Sequence, residues 1–237
     1  MKKHITKLLV TALITLVSFT AVAEEQSMKT VLDDKQQSIV TIAALSAAGE
    51  LDKLKTALGS GLEAGLTVNE IKEVLIQVYA YAGFPRSLNA ITTLQAVVQE
   101  RKAAGKADAE GKEPSPFPTD RNSLAFGTEN QTKLIGMPVG GGIYDFVPTI
   151  DRFLKAHLFG DIFQRDNLDW KHRELATIAM LAAIPGVNPQ LQGHLAIGMH
   201  NGLTVEQLRA AAVVVGSTLG SQYADNMNAV IDNVSQK

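Results

Sequence analysis

The sequence predicts an all-α protein in which one helical module occurs twice. Leu32-Asp33-Asp34-Lys35, Thr41-Ile42-Ala43-Ala44-Leu45 and Gly65-Leu66-Thr67-Val68 return in the same order as Leu168-Asp169-Trp170-Lys171, Thr177-Ile178-Ala179-Met180-Leu181 and Gly202-Leu203-Thr204-Val205. The displacement is 136 residues from Asp33 to Asp169 and 137 from Gly65 to Gly202, so one residue is inserted near Ile184-Pro185-Gly186-Val187-Asn188. Repetition on this scale marks a structural unit. Apolar residues also recur at helical spacing through most of the chain. Period-two alternation is nearly absent, apart from a stretch around Leu134 to Val139.

The elements follow in order. Lys2, Lys3 and Lys7 precede an almost uncharged apolar run from Leu8 to Val22, and Ala21-Val22-Ala23 supplies the small residues of a cleavage site. Residues 1–23 therefore read as a secretory signal peptide, which implies an exported, periplasmic or secreted protein with no membrane span after cleavage; an uncleaved membrane anchor is the alternative reading. Residues 24–100 form the first copy. Ser38, Ile42 and Leu45, with Ile39 and Ala43 beside them, recur at helical spacing, and Leu51, Leu54, Leu58 and Leu62 make the next stripe. Thr67-Val68-Asn69-Glu70 is a capping box, in which the Thr67 hydroxyl accepts from the Glu70 amide and the carboxylate reaches back. Gly65 ends the preceding helix as a left-handed cap. Ile71, Leu75, Val78 and Ala82 continue the pattern, and Pro85 suits the first turn of a further helix.

Residues 101–145 read as a linker, because Arg101 to Asn130 is rich in Ala, Gly, Lys, Glu and Pro. Gly140-Gly141-Gly142 has no Gly-Lys-Ser/Thr after it and is read as a loop rather than a phosphate cradle. Residues 146–237 form the second copy, opening with one amphipathic helix from Phe146 to Phe163 and repeating the capping box at Thr204-Val205-Glu206-Gln207. The linker is long enough for the copies to pack on each other as a pseudo-dimer.

Composition narrows the function. Hydrophobic residues make up 46% and charged residues 19%, which suits a packed globular core. The formal net charge of −2 becomes about −5 once three lysines leave with the leader, and no basic stripe is present to neutralise phosphates, so nucleic acid is not an expected partner. There is no cysteine, which removes disulfides, thiol redox chemistry and thiolate metal ligands together.

The copies differ where chemistry would sit. The second carries Glu174 and His194 where the first carries Ser38 and Ala57. Glu174 shares a helix face with Ile178 and Leu181, so its carboxylate points inward, and His194 lies on a similar stripe between Leu191 and Gly198. A carboxylate on an apolar face needs a partner, and the two side chains can pair. The pair reads either as a structural bond between helices or as an acid/base couple. Its loss from a first copy that keeps the helices favours the couple. His200 follows His194 by six residues, roughly 240° around the helix, so the two do not build a metal site together. No metal is expected.

The chain resembles the carboxymuconolactone decarboxylase family, whose all-α fold is shared with alkylhydroperoxidase D-type antioxidant proteins. The resemblance rests on Gly160-Asp161-Ile162-Phe163, Arg173-Glu174-Leu175-Ala176-Thr177-Ile178-Ala179, His194, Gly202-Leu203-Thr204 and Glu206. In the first copy it rests on Gly65-Leu66-Thr67, Glu70, Glu73-Val74-Leu75-Ile76-Gln77 and Tyr81-Ala82-Gly83-Phe84-Pro85. The antioxidant branch implies two cysteines that fall on Val187 and Gln190 here, so its peroxide chemistry is not expected. The namesake reaction implies cofactor-free loss of CO2 from a small lactone or keto acid. In that scheme His194 is the proton donor, Glu174 orients it, Tyr81 lies by the pocket, and Arg86 or Arg173 holds a carboxylate. His200 completes the substrate-binding candidates. Single-copy relatives imply trimers of dimers, hence a homotrimer of this chain. A non-catalytic periplasmic ligand-binding or oligomeric module remains the alternative.

Overall fold

The computed structural model describes residues 31–235; the leader read at 1–23 lies outside them. The first copy contains α1 (Asp34–Ala48), α2 (Leu51–Glu63), α3 (Val68–Ala82) and α4 (Phe84–Ala103). The second contains α8 (Trp170–Ala182), α9 (Asn188–His200), α10 (Val205–Leu219) and α11 (Ser221–Ser235). Between them lie α5 (Ser123–Ile135), the short α6 (Ile143–Phe146) and α7 (Pro148–Phe153), and a π-helical segment, Leu154–Ile162. No strand forms among the described residues.

Local chemistry sets the boundaries. Asp33 caps α1 with Gln36 reaching back, and Asp169, its counterpart, accepts from the His172 amide at 2.9 Å. The Thr67/Glu70 and Thr204/Gln207 boxes both close, each satisfying amides that the first helical turn leaves unpaired. Gly65 and Gly202 adopt φ of 90° and 92°, the left-handed geometry that permits the sharp reversal before each box.

The copies share one core. α1 and α8 are buried nearly all round and lie against each other, with Ala43, Ala44, Ala176 and Ala179 among their buried residues. α3 of the first copy packs on α8 of the second, and α10 of the second packs on α1 of the first. This reciprocal exchange is how the two halves of an isologous dimer contact each other. A continuous hydrophobic cluster runs from Leu32 to Ile231 through both.

The region between the copies departs from the sequence reading in two places. Residues 123–135, read as linker, form α5, with Gly127, Asn130, Gln131 and Leu134 buried. The stretch around Leu134 to Val139 forms no strand, since it ends α5 at a left-handed Gly136. The single helix expected from Phe146 to Phe163 is divided. Pro148 starts α7 afresh, and the chain then widens into π geometry, with the Phe163 amide bonding the Leu158 carbonyl at 3.0 Å. Glycine makes the contact with α5 possible. A Cβ at Gly127 would stand 1.6 Å from the Lys155 carbonyl oxygen, and one at Gly160 would stand 2.4 Å from that of Ser123. Residues 107–122 remain without regular structure apart from a turn, and they are tied to both copies. The Val68 and Asn69 amides bond Ala109 and Glu110, while Ser115 and Lys112 bond Asp166.

Candidate functional site

Glu174 sits one turn into α8 and is wholly excluded from solvent. Its Oε2 lies 2.8 Å from Nδ1 of His194 on the neighbouring α9. In neutral imidazole this contact places the hydrogen on Nδ1, donated to the carboxylate, and leaves Nε2 for other chemistry. The His194 side chain keeps 14% of its surface exposed, so the pair stands at the edge of the core rather than sealed inside it.

The third group comes from the first copy. Tyr81, in the last turn of α3, presents its ring edge-on to His194, with centroids 5.5 Å apart and planes at 83°. Burial and then the nearby Glu174 charge push the phenol well above its ordinary range, so Tyr81 stays protonated; Thr177 lies close by but completes no hydrogen bond of good geometry with the hydroxyl. The Tyr81 hydroxyl and Glu174 Oε1 are both buried, and neither completes a hydrogen bond within the protein. An unmade bond at a buried polar atom costs about 1–3 kcal/mol. Both atoms lie beside the edge-exposed His194 and are left without a partner from the protein.

A buried network fixes the floor of this site. Gln77 Nε2 donates to Thr177 Oγ1 at 2.6 Å and to the Arg173 carbonyl at 2.9 Å. Glu73 receives both Arg165 and Arg173, with Arg165 Nε and a terminal nitrogen within 3.0 Å and a terminal nitrogen of Arg173 at 2.8 Å. Burial alone would raise the Glu73 pKa, but these hydrogen bonds outweigh it and hold the carboxyl below its ordinary value. Above the site, Leu134, Leu158, Phe159, Ile162 and Phe163 form a second apolar cluster against Tyr81, Trp170 and Ile197. Trp170 lies one turn before Glu174 and Ile197 one turn after His194, so α5 and the π-helical segment roof the pair.

Three substrate-binding candidates fall elsewhere. Arg173 is fully buried and its donors are spent on the Leu168 and Arg165 carbonyls, Gln77 and Glu73, which corrects its reading as a substrate clamp. Arg86 is exposed, donates to the Ala47 carbonyl at the end of α1, and shares no hydrogen bond with Glu174, His194 or Tyr81. His200 is exposed on the last turn of α9 and stands against Gly136, off the face that carries His194. Gln77, Thr177 and Arg165 carried no separate signal in the sequence, because their partners lie about a hundred residues away on the other copy. The described residues contain no cluster of three or more His, Asp or Glu side chains placed to hold a metal.

The fold is a duplicated all-α helical module, and the comparisons match it twice along the chain. The chain belongs to the carboxymuconolactone decarboxylase family, whose model matches residues 12–96 and 148–232. The two matched stretches are offset by the spacing already read between Asp33 and Asp169. The chain is similar to an uncharacterized protein of Methanocaldococcus jannaschii, 31% identical over 70 residues that cover 30% of this chain and 65% of the relative. It is also similar to a 4-carboxymuconolactone decarboxylase of Acinetobacter baylyi, 36% identical over 64 residues covering 27% of this chain and 48% of the relative. The chain thus spans less than two thirds of the length of each.

Proposed function

We propose that the protein is an exported enzyme that removes CO2 from a small lactone or keto acid, without a cofactor, at Glu174, His194 and Tyr81. One observation carries the reading: a wholly buried carboxylate holds an edge-exposed histidine at 2.8 Å, while the second carboxylate oxygen and a tyrosine hydroxyl beside it stand unpartnered. Family membership and the similarity to a decarboxylase support the reaction class.

In this scheme the C–C bond to the carboxylate breaks, CO2 leaves, and the electron pair passes into the conjugated carbonyl. The protonated Tyr81 hydroxyl donates to the oxygen on which charge develops. In this scheme His194 acts as the imidazolium, its Nδ1–H held by Glu174: it gives its Nε2 proton to carbon, is left neutral, and takes up a proton from solvent for the next turnover. Export follows from the leader at 1–23 and points to a substrate met outside the cytoplasm.

The working form is proposed to be a homotrimer of this pseudo-dimeric chain. Ile143, Phe146, Val147, Ile150 and Phe153 on α6, α7 and the loop between them are exposed, with Phe146 86% exposed, and a contact with further copies removes such surface from water. Screening lactones and keto acids for CO2 release, beside sedimentation at micromolar concentration, tests both statements. No release from any of them, or monomer alone, contradicts the corresponding one.

A further inference from the structure

We propose a second binding site, in the first copy, for a small neutral molecule rich in hydroxyl groups. A cavity of about 720 Å³ lies there between α1, α2 and the end of α10. Ser38, Thr41, Leu45, Ala57, Ser217 and Thr218 are among the residues that line it. Under the repeat, Ser38 is the counterpart of Glu174, Thr41 of Thr177, Ala57 of His194 and Thr218 of Tyr81. The cavity is therefore the pseudo-symmetric image of the Glu174–His194–Tyr81 site, with each of the three large polar side chains replaced by a small one. The space those side chains fill in the second copy is open in the first.

The lining gives the chemistry of the occupant. Ser38 donates its hydrogen to the Asp34 carbonyl at 2.8 Å and Thr41 to the Gln37 carbonyl at 2.9 Å. Ser217 and Thr218 both donate to the Val214 carbonyl, at 2.9 and 2.7 Å. Four hydroxyls thus spend their hydrogens on their own helices and keep oxygen lone pairs for the cavity, where they accept from a ligand's donors. Charge is balanced at the rim. Asp34 stands on one side, and Lys53 on the other is largely solvated with Glu50 3.9 Å away, so neither a cation nor an anion is selected. Leu45, Ala57 and Ala64 add apolar surface of the kind that covers C–H faces. Alternating hydroxyl donors and C–H faces describe a polyol or a monosaccharide. With no carboxylate–histidine pair in place, the site holds its ligand without acid/base chemistry. This inference does not depend on the proposed decarboxylation.

Titration calorimetry of the whole protein with glycerol, ribitol and glucose, and with succinate as the charged comparison, tests it. The expected result is saturable binding of at least one hydroxylated probe, one molecule per chain. Binding should weaken at least tenfold in Ala57→Phe, which fills the cavity from a partly exposed position, and persist in His194→Ala. If Ala57→Phe does not fold, Ser38→Glu fills the same space from the facing helix and takes its place. No saturable binding by any of the three, preference for succinate, or undiminished binding in the folded filled variant would each overturn the proposal.

Discussion

Tyr81 of the first copy stands edge-on to His194 of the second, 5.5 Å between ring centroids, with its hydroxyl buried and unpartnered. The proposed site draws on both copies, with Glu174 and His194 from the second and Tyr81 from the first. It also predicts opposite effects on rate and stability. Tyr81→Phe removes a buried hydroxyl that makes no bond, so urea unfolding should show it unchanged or more stable by up to about 1 kcal/mol. Turnover should fall by about 100-fold, the scale for losing one donor to a developing oxyanion. A destabilised variant with unchanged turnover would show that the hydroxyl is structural.

Glu73 binds the copies together. Glu73→Gln leaves Arg173 buried without its counter-charge and should cost about 3–5 kcal/mol, read by denaturant unfolding. The sign with pH follows from the lowered carboxyl. Its contribution is complete above the ordinary value of about 4.5 and is lost as pH falls through the lower folded value. The wild-type advantage over Glu73→Gln should therefore shrink as the solution is acidified below that point. An advantage that grows in acid would contradict the assignment.

Two glycine substitutions should move stability in opposite directions. Gly127→Ala drives a Cβ into the Lys155 carbonyl and should destabilise by at least about 1–3 kcal/mol, loosening the roof over His194. Gly59→Ala, in the interior of α2 with open space at its Cβ, should stabilise by about 0.5–1 kcal/mol. Thermal melts of the two variants check both. Equal shifts would mean that α5 is not held closely against the π-helical segment.

Glu174→Gln keeps a hydrogen-bonding group in the same volume but removes the charge that balances the imidazolium. Turnover should drop by more than tenfold while the melting temperature changes little, since the amide still bonds His194. A variant that unfolds readily yet turns over normally would return the pair to a structural role.

Local signals were legible in the sequence and long-range ones were not. The Thr67/Glu70 and Thr204/Gln207 boxes, the turn glycines Gly65 and Gly202, and the inward face of Glu174 each depend on residues within two turns, and each took its expected form. α5 was hidden because it follows directly on a Pro- and Gly-rich stretch and was read together with it as linker. Its burial comes from Gly127 and Gly160 letting two backbones touch, a contact no periodicity records. Arg173 was misread for a related reason: its partner Glu73 lies a hundred residues away, and only the folded chain places the pair together. The asymmetry of Glu174 and His194 against Ser38 and Ala57 was visible because the repeat supplied an internal comparison.

In the proposed mechanism His194 gives a proton to carbon at a site held by Glu174 and completed by Tyr81. The most direct measurement is CO2 release by wild-type protein and by His194→Ala on the lactone or keto acid that the screen identifies, with circular dichroism confirming the fold of both. A loss of roughly 100-fold or more is expected in the variant, the scale for removing a general acid. A folded His194→Ala protein that releases CO2 at the wild-type rate would contradict it.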